Sequence, residues 1–147
     1  MDSLYKFVIF ASIFLFIIFY PMFISIYVFL PLLIGIMGYL LMQGIEKGKI
    51  SYILISLFYF INLEINLSLP LCLTIFSSLF VYIFIYSHLR YFYKCKICKP
   101  LLSVLILNIV YVGFLLSHDF IFQTSSVVID NLLLYSLIVD LLIVVII

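Results

Sequence analysis

The chain has 147 residues, of which 69% are hydrophobic and 9% charged, with a net charge of +1 and a mean hydropathy of +1.49. A soluble domain is about half apolar and about a quarter charged, so a water-soluble fold of this chain would lack the polar surface to cover its Ile, Leu and Phe. The balance excludes a soluble globular domain and offers no basic excess for a nucleic acid. It points instead to one integral membrane domain over residues 1–147, and continuous apolar runs favour helices over a membrane barrel, whose strands would alternate.

Bulk comes from 16 Phe and 12 Tyr, with no Trp. Three cysteines, Cys72, Cys95 and Cys98, are too few and too badly placed for a secreted disulfide framework.

After a short tail, Phe7 to Tyr20 is apolar and Pro21 follows. No small-residue cleavage site comes next, so this reads as an uncleaved first span, kinked or ended by Pro21. Ile26 to Met42 is the second span, with Pro31 inside it or at its start, where a missing N–H is tolerated. Gly35 and Gly38 give it a slim face for close helix approach. Gln43 to Lys49 reads as a loop. Its Gly44 and Gly48 share only the spacing of a helix-dimer motif, because they sit among charges.

Ser51 to Ile61 begins a third span, after which Ile61 to Leu69 alternates apolar and polar residues strictly. Period two suits an extended turn, the alternative being a polar helix face that points inward. Pro70 opens the fourth span, Leu71 to Ser87. The basic stretch Ser87 to Pro100 interrupts the apolar pattern. Leu101 to Ser117 is the fifth span, His118 to Ser126 a loop without bases, and Val127 to Ile147 the sixth, with Thr124, Ser125 and Ser126 as candidate N-caps.

Six spans place the N-terminal tail, Gln43 to Lys49 and Ser87 to Pro100 on one side. Lys6, Lys47, Lys49, Arg90, Lys94, Lys96 and Lys99, all the cations of the chain, fall there. The positive-inside bias therefore puts both termini in the cytoplasm. The expected fold is an all-α polytopic membrane protein with about six transmembrane helices.

Few residues offer chemistry. Asp140 lies about 10 Å below the chain end at about 1.5 Å per residue, a depth at which an acid needs a partner or a proton. Asn108 enters the fifth span to a similar depth from the same side, and Ser136 is one turn from Asp140. An Asp140–Asn108 contact between the last two spans is expected, as a structural clamp before a proton or ion relay. Asp130 suits a first-turn acid that complements the helix dipole. Glu64 reads as a solvated turn acid, and His118-Asp119 as a loop pair.

Cys95-Lys96-Ile97-Cys98 is a single pair of thiols, short of the four ligands of a zinc site even with His88 and outside any thioredoxin-like unit. A basic loop attracted to anionic headgroups is the plainer reading of Arg90, Lys94, Lys96 and Lys99, with Tyr86, Tyr91 and Tyr93 at the interface. No nucleophile elbow, phosphate loop or zinc-protease helix occurs, so no enzyme and no cofactor is expected.

The layout resembles the MreD family of rod-shape-determining membrane proteins. The resemblance rests on Pro31 to Lys49, a second span opening after proline and ending in glycine and bases, and on Glu64 followed by a polar turn and Pro70-Leu71. The family has aspartate where Glu64 stands and glycine where Cys72 stands; the fourth span then runs into a basic loop, as His88 to Lys99 does. The resemblance implies a non-enzymatic scaffold of the bacterial cell-wall elongation machinery in the cytoplasmic (inner) membrane, with an MreC-like membrane protein as partner and no cofactor. Pro31, Glu64, Pro70, Asn108 and Asp140 are then the polar and backbone positions on which a partner or the fold would depend. The alternative is the substrate-binding membrane subunit of a vitamin-type importer, with a pocket lined by Asn62, Glu64, Asn66 or His118. An ion-coupled carrier using Asp140 is a third reading, without the inverted repeat such carriers have.

In intact cells, a membrane-impermeant thiol reagent is expected to leave the Cys95 region unlabelled while a cysteine placed in the Asn66 turn reacts. The reverse pattern would invert the orientation.

Overall fold

The structure, a computed structural model, describes residues 1–27, 29–92, 95–124 and 131–146. Six α-helices occur among them: α1 (Asp2–Ile26), α2 (Ile34–Lys47), α3 (Ile50–Asn66), α4 (Leu73–Val81), α5 (Cys98–Phe122) and α6 (Asn131–Ile146). A π-helical turn, Tyr82–Tyr86, prolongs α4, and a 3-10 turn follows at His88–Phe92. No strand appears among the described residues. The all-α class follows from the apolar runs, in which each backbone amide finds its partner inside its own segment. By length and composition, α1 and α5 are long and apolar enough to cross a membrane.

Several boundaries depart from the sequence reading. Pro21 does not end the first helix, which runs on to Ile26. Pro31 lies ahead of the second helix rather than in it, because Phe29 to Leu33 are non-helical and α2 starts at Ile34. At its other end α2 continues through the expected loop to Lys47. Gly48, at φ +64°, closes it: the Gly48 N–H donates to Ile45 O and the Lys49 N–H to Gly44 O, a glycine stop that leaves only two residues before α3.

The alternating stretch is not extended up to Asn66, because α3 includes it. Asn62 and Asn66 stand one turn apart on one face while Glu64 falls on another, so a period-two polar run is divided between two sides of a helix. The Asn66 amide donates to Asn62 O and Oδ1, each at 2.8 Å, and the Asn62 amide donates to Ile18 O of α1 at 2.6 Å. α5 reaches Phe122, so His118 and Asp119 are helical and not in a loop. Tyr93, Lys94, Ser125, Ser126, Val127, Asp130 and Ile147 lie outside the described residues.

α2 is the hub, packed against α3, α4, α5 and α6. Its glycines permit this. A β-carbon on Gly38 would collide with the Leu107 side chain of α5, and one on Gly44 would come within 3.0 Å of Tyr52 and Ile53 of α3. Leu41, Met42, Tyr59, Phe60, Leu63, Val81, Leu107 and Leu115 form the centre of the core. α1 packs mainly on α3, burying only Ile17, Pro21 and Ile24, and leaves most of its Phe and Ile side chains exposed.

The first four helices contain a repeat. Phe19-Tyr20 and Leu30-Pro31-Leu32 recur 39 positions later as Phe58-Tyr59 and Leu69-Pro70-Leu71. In both copies the second residue after the proline is left-handed, Leu33 at φ +53° and Cys72 at φ +66°, and a helix starts at the next residue. A side chain held in this region is strained by about 1–2 kcal/mol, a penalty that glycine escapes. Cys72→Gly is therefore expected to keep or raise the unfolding temperature in detergent, by up to about 1 kcal/mol in stability, and Cys72→Val to lower it. Equal losses in the two variants would show that the backbone there is unstrained.

Candidate functional site

A helix start leaves backbone N–H groups without partners, and a start buried in apolar surroundings needs acceptors brought to it. Both proline-led starts receive a carboxylate. At α4, Glu64 Oε2 accepts from the Cys72 N–H at 2.6 Å, and Oε1 accepts from the Thr74 N–H at 2.9 Å and the Thr74 hydroxyl at 2.6 Å. Glu64 is 1% exposed, which corrects the reading of a solvated turn acid. It reaches inward because the helix continues past Asn62 and turns its side chain toward α4. Three hydrogen bonds to a charged acceptor, about 1.5–3 kcal/mol each, offset the penalty of removing the carboxylate from water.

At α2, Asp140 Oδ2 of α6 accepts from the Gly35 N–H at 2.9 Å, across 105 positions of sequence. Gly35 and Thr74 are the same position in the repeat, four residues after the proline. Asp140 and Ser136 are buried; the Ser136 hydroxyl turns to Leu133 O of its own helix and does not bind the acid. Asn108 is beside Asp140, as the depth argument expects. A β-carbon on Gly35 would lie 2.5 Å from Asn108 Nδ2, 2.6 Å from Val104 Cγ1 and 2.8 Å from Asp140 Oδ2. The expected two-helix clamp is thus a three-helix junction of α2, α5 and α6, closed on a glycine. Asp140 Oδ1 is buried and makes no hydrogen bond of good geometry among the described residues, with the Asn108 side chain beside the acid.

The non-helical lead into α2 is held at its carbonyls. Tyr20 of α1 donates to Pro31 O at 2.8 Å, and Tyr59 of α3 donates to Leu32 O at 2.7 Å. These are the two tyrosines that the repeat equates. Pro31 itself has no N–H to satisfy, and Pro70 is placed identically before α4.

At the basic end a second polar cluster ties α2, the π-helical turn and α5. Tyr86 donates to Glu46 Oε2 at 2.6 Å, Lys99 Nζ lies 3.2 Å from Glu46 Oε1, and the same ammonium sits 4.7 Å above the Tyr86 ring. Tyr86 is 1% exposed, so it is a core residue and not an interface anchor. Lys99 belongs to this cluster, which removes it from the lipid-facing basic set; Lys96 is exposed, Arg90 lies in the 3-10 turn, and Tyr91 is 89% exposed. A groove of about 580 Å³ opens beside the cluster, between α2, the start of α5 and the end of α6.

Cys95 and Cys98 are free thiols, the first exposed and the second half-buried. Among the described residues, no three His, Cys, Asp or Glu side chains gather as metal ligands. His118 and Asp119 pair at 3.7 Å near the end of α5, and Thr124 contacts Asp119.

Compared with protein-family models, curated proteins and solved structures, the chain matches none.

The sequence does not single out Glu46, Tyr20, Tyr59 or Thr74, and it suggests the interface for Tyr86, which is buried. The repeated tyrosine-to-proline spacing was a signal for two of them; Glu46 was an acid alone among bases. The two carboxylates serve unequal numbers of donors, which orders their replacement. Each buried donor left unsatisfied costs about 1–3 kcal/mol, so Glu64→Ala, which strands the two buried donors of Thr74 and the part-buried Cys72 N–H, is expected to destabilise more than Asp140→Ala, which strands one backbone N–H. Thermal unfolding in detergent measures both; the opposite order would refute the assignment of these bonds as the main contribution of each acid.

Proposed function

We propose that the chain is a multi-pass protein of the bacterial cytoplasmic (inner) membrane, with both termini in the cytoplasm, that acts as a non-enzymatic scaffold. In this reading its helix surfaces hold an MreC-like membrane protein within the cell-wall elongation machinery and so maintain cell shape. Six helices fit such a layout. α1 and α5 have the length and hydropathy to span alone. The shorter α2, 14 residues and about 21 Å long, is preceded by non-helical residues that add reach.

One observation carries the choice of a scaffold. Both deeply buried acids, Glu64 and Asp140, bind the chain's own helix starts. Such a junction fixes helices against one another and presents no carboxylate to a solute. The importer reading rests on Asn62, Glu64, Asn66 or His118 lining an outward pocket. Asn62 and Glu64 instead bridge to α1 and α4, and Asn66 bonds within its own helix. Cys72 adds support to the MreD-like reading, since its left-handed backbone is the conformation for which that family's glycine is suited.

Affinity purification of the full-length tagged chain from mildly solubilised membranes tests this. Recovery of an MreC-like single-span protein is the expected result. Recovery of a transporter ATPase module together with a bound small molecule would reject it.

A further inference from the structure

The groove at the basic end is shaped like a lipid site. Its walls include Ile36 and Leu40 of α2 and Val144 and Ile146 of α6, and its polar side chains are Tyr39, Gln43 and Lys96. Ile36 to Gln43 covers about 10 Å of helix, so the apolar wall extends along the bundle while the amide and the ammonium lie toward its basic end. Its volume falls in the range of about 300–1,000 Å³ typical of ligand sites. Lys96 is exposed there, whereas Lys99 is turned away into the Glu46–Tyr86 cluster. α5 begins two residues after Lys96 without a side-chain cap, so its first N–H groups add positive potential at the same mouth.

We propose that this groove holds one acyl chain of an anionic phospholipid, with the lipid phosphate at Lys96. An apolar trench with a cationic mouth at the basic end of a helical bundle complements a molecule whose charge sits at the water surface and whose tail runs inward. A water-soluble anion would leave the walls unoccupied, and a neutral lipid would leave the lysine unanswered. The inference rests on the bilayer placement of the chain and is independent of its protein partner.

Native mass spectrometry of the full chain, released from mixed phosphatidylglycerol and phosphatidylcholine of identical acyl chains, tests it. The wild type is expected to retain phosphatidylglycerol preferentially. Lys96→Glu is expected to reduce that preference at least about fivefold, the factor equivalent to about 1 kcal/mol per surface lysine. Lys47→Glu, at the same end of the bundle but outside the groove, is expected to leave it unchanged, and glycerol phosphate added in solution is expected not to displace the lipid. Equal retention of the two lipids, an equal loss in Lys47→Glu, or displacement by glycerol phosphate would each overturn the site. Retention of neither lipid would likewise overturn the site.

Discussion

Everything in this fold depends on how two helices are allowed to begin after a proline, α2 among buried side chains and α4 beside the exposed Leu71 and Cys72. A helix interior satisfies its own backbone, but a helix start exposes N–H groups that neither lipid nor packed side chains can accept. In this chain α2 and α4 both start after a proline and a left-handed residue, and both N–H groups four positions past the proline point at a carboxylate. Without those acceptors the starts would have to move to water, and the hub helix α2 would lose its place among α3, α4, α5 and α6.

The opposite end of the bundle solves the converse problem. Lys99 opens α5, Glu46 ends α2, and Tyr86 closes the π-helical extension of α4, and the three meet in one cluster. Ion pairs that are partly buried stabilise only when hydrogen bonds satisfy the remaining lone pairs, and the Tyr86 hydroxyl supplies one. The π-helical turn is what carries Tyr86 to Glu46, since an inserted residue in a helix re-aims the side chains beyond it. α2 is therefore anchored at both ends, by Asp140 at its start and by Lys99 and Tyr86 near its finish.

The class of the fold, the identity of most helices and the slim glycine face were legible, because they follow from hydropathy and from side-chain volume at Gly35 and Gly38. The neighbourhood of Asp140 and Asn108 was legible from depth alone. The place of Glu64 is not legible because alternation between residues 61 and 69 suits an extended backbone, whereas in a helix the same pattern places Asn62 and Asn66 on one face and Glu64 on another. Helix ends shift by five residues at Lys47 and Phe122, where charged and polar residues remain helical; Glu46 there pairs with Lys99 of α5. Local sequence carries no signal for so distant a partner.

The repeat explains why the C-terminal helix is needed. In the second copy the acid comes from the same hairpin: Glu64 of α3 reaches across its own turn to α4. In the first copy the matching position is Ser25, whose hydroxyl turns back to Met22 O at 2.6 Å and reaches no helix start. The Gly35 N–H must then be satisfied from elsewhere, and Asp140 arrives from α6 to do it. Gly35 also lacks the hydroxyl that Thr74 offers Glu64, and the space is taken by Asn108 and Val104 instead. The substitution of a distant carboxylate for a local one turns a self-contained hairpin into a junction of three helices. It makes the packing of α6 a condition for α2 to start where it does.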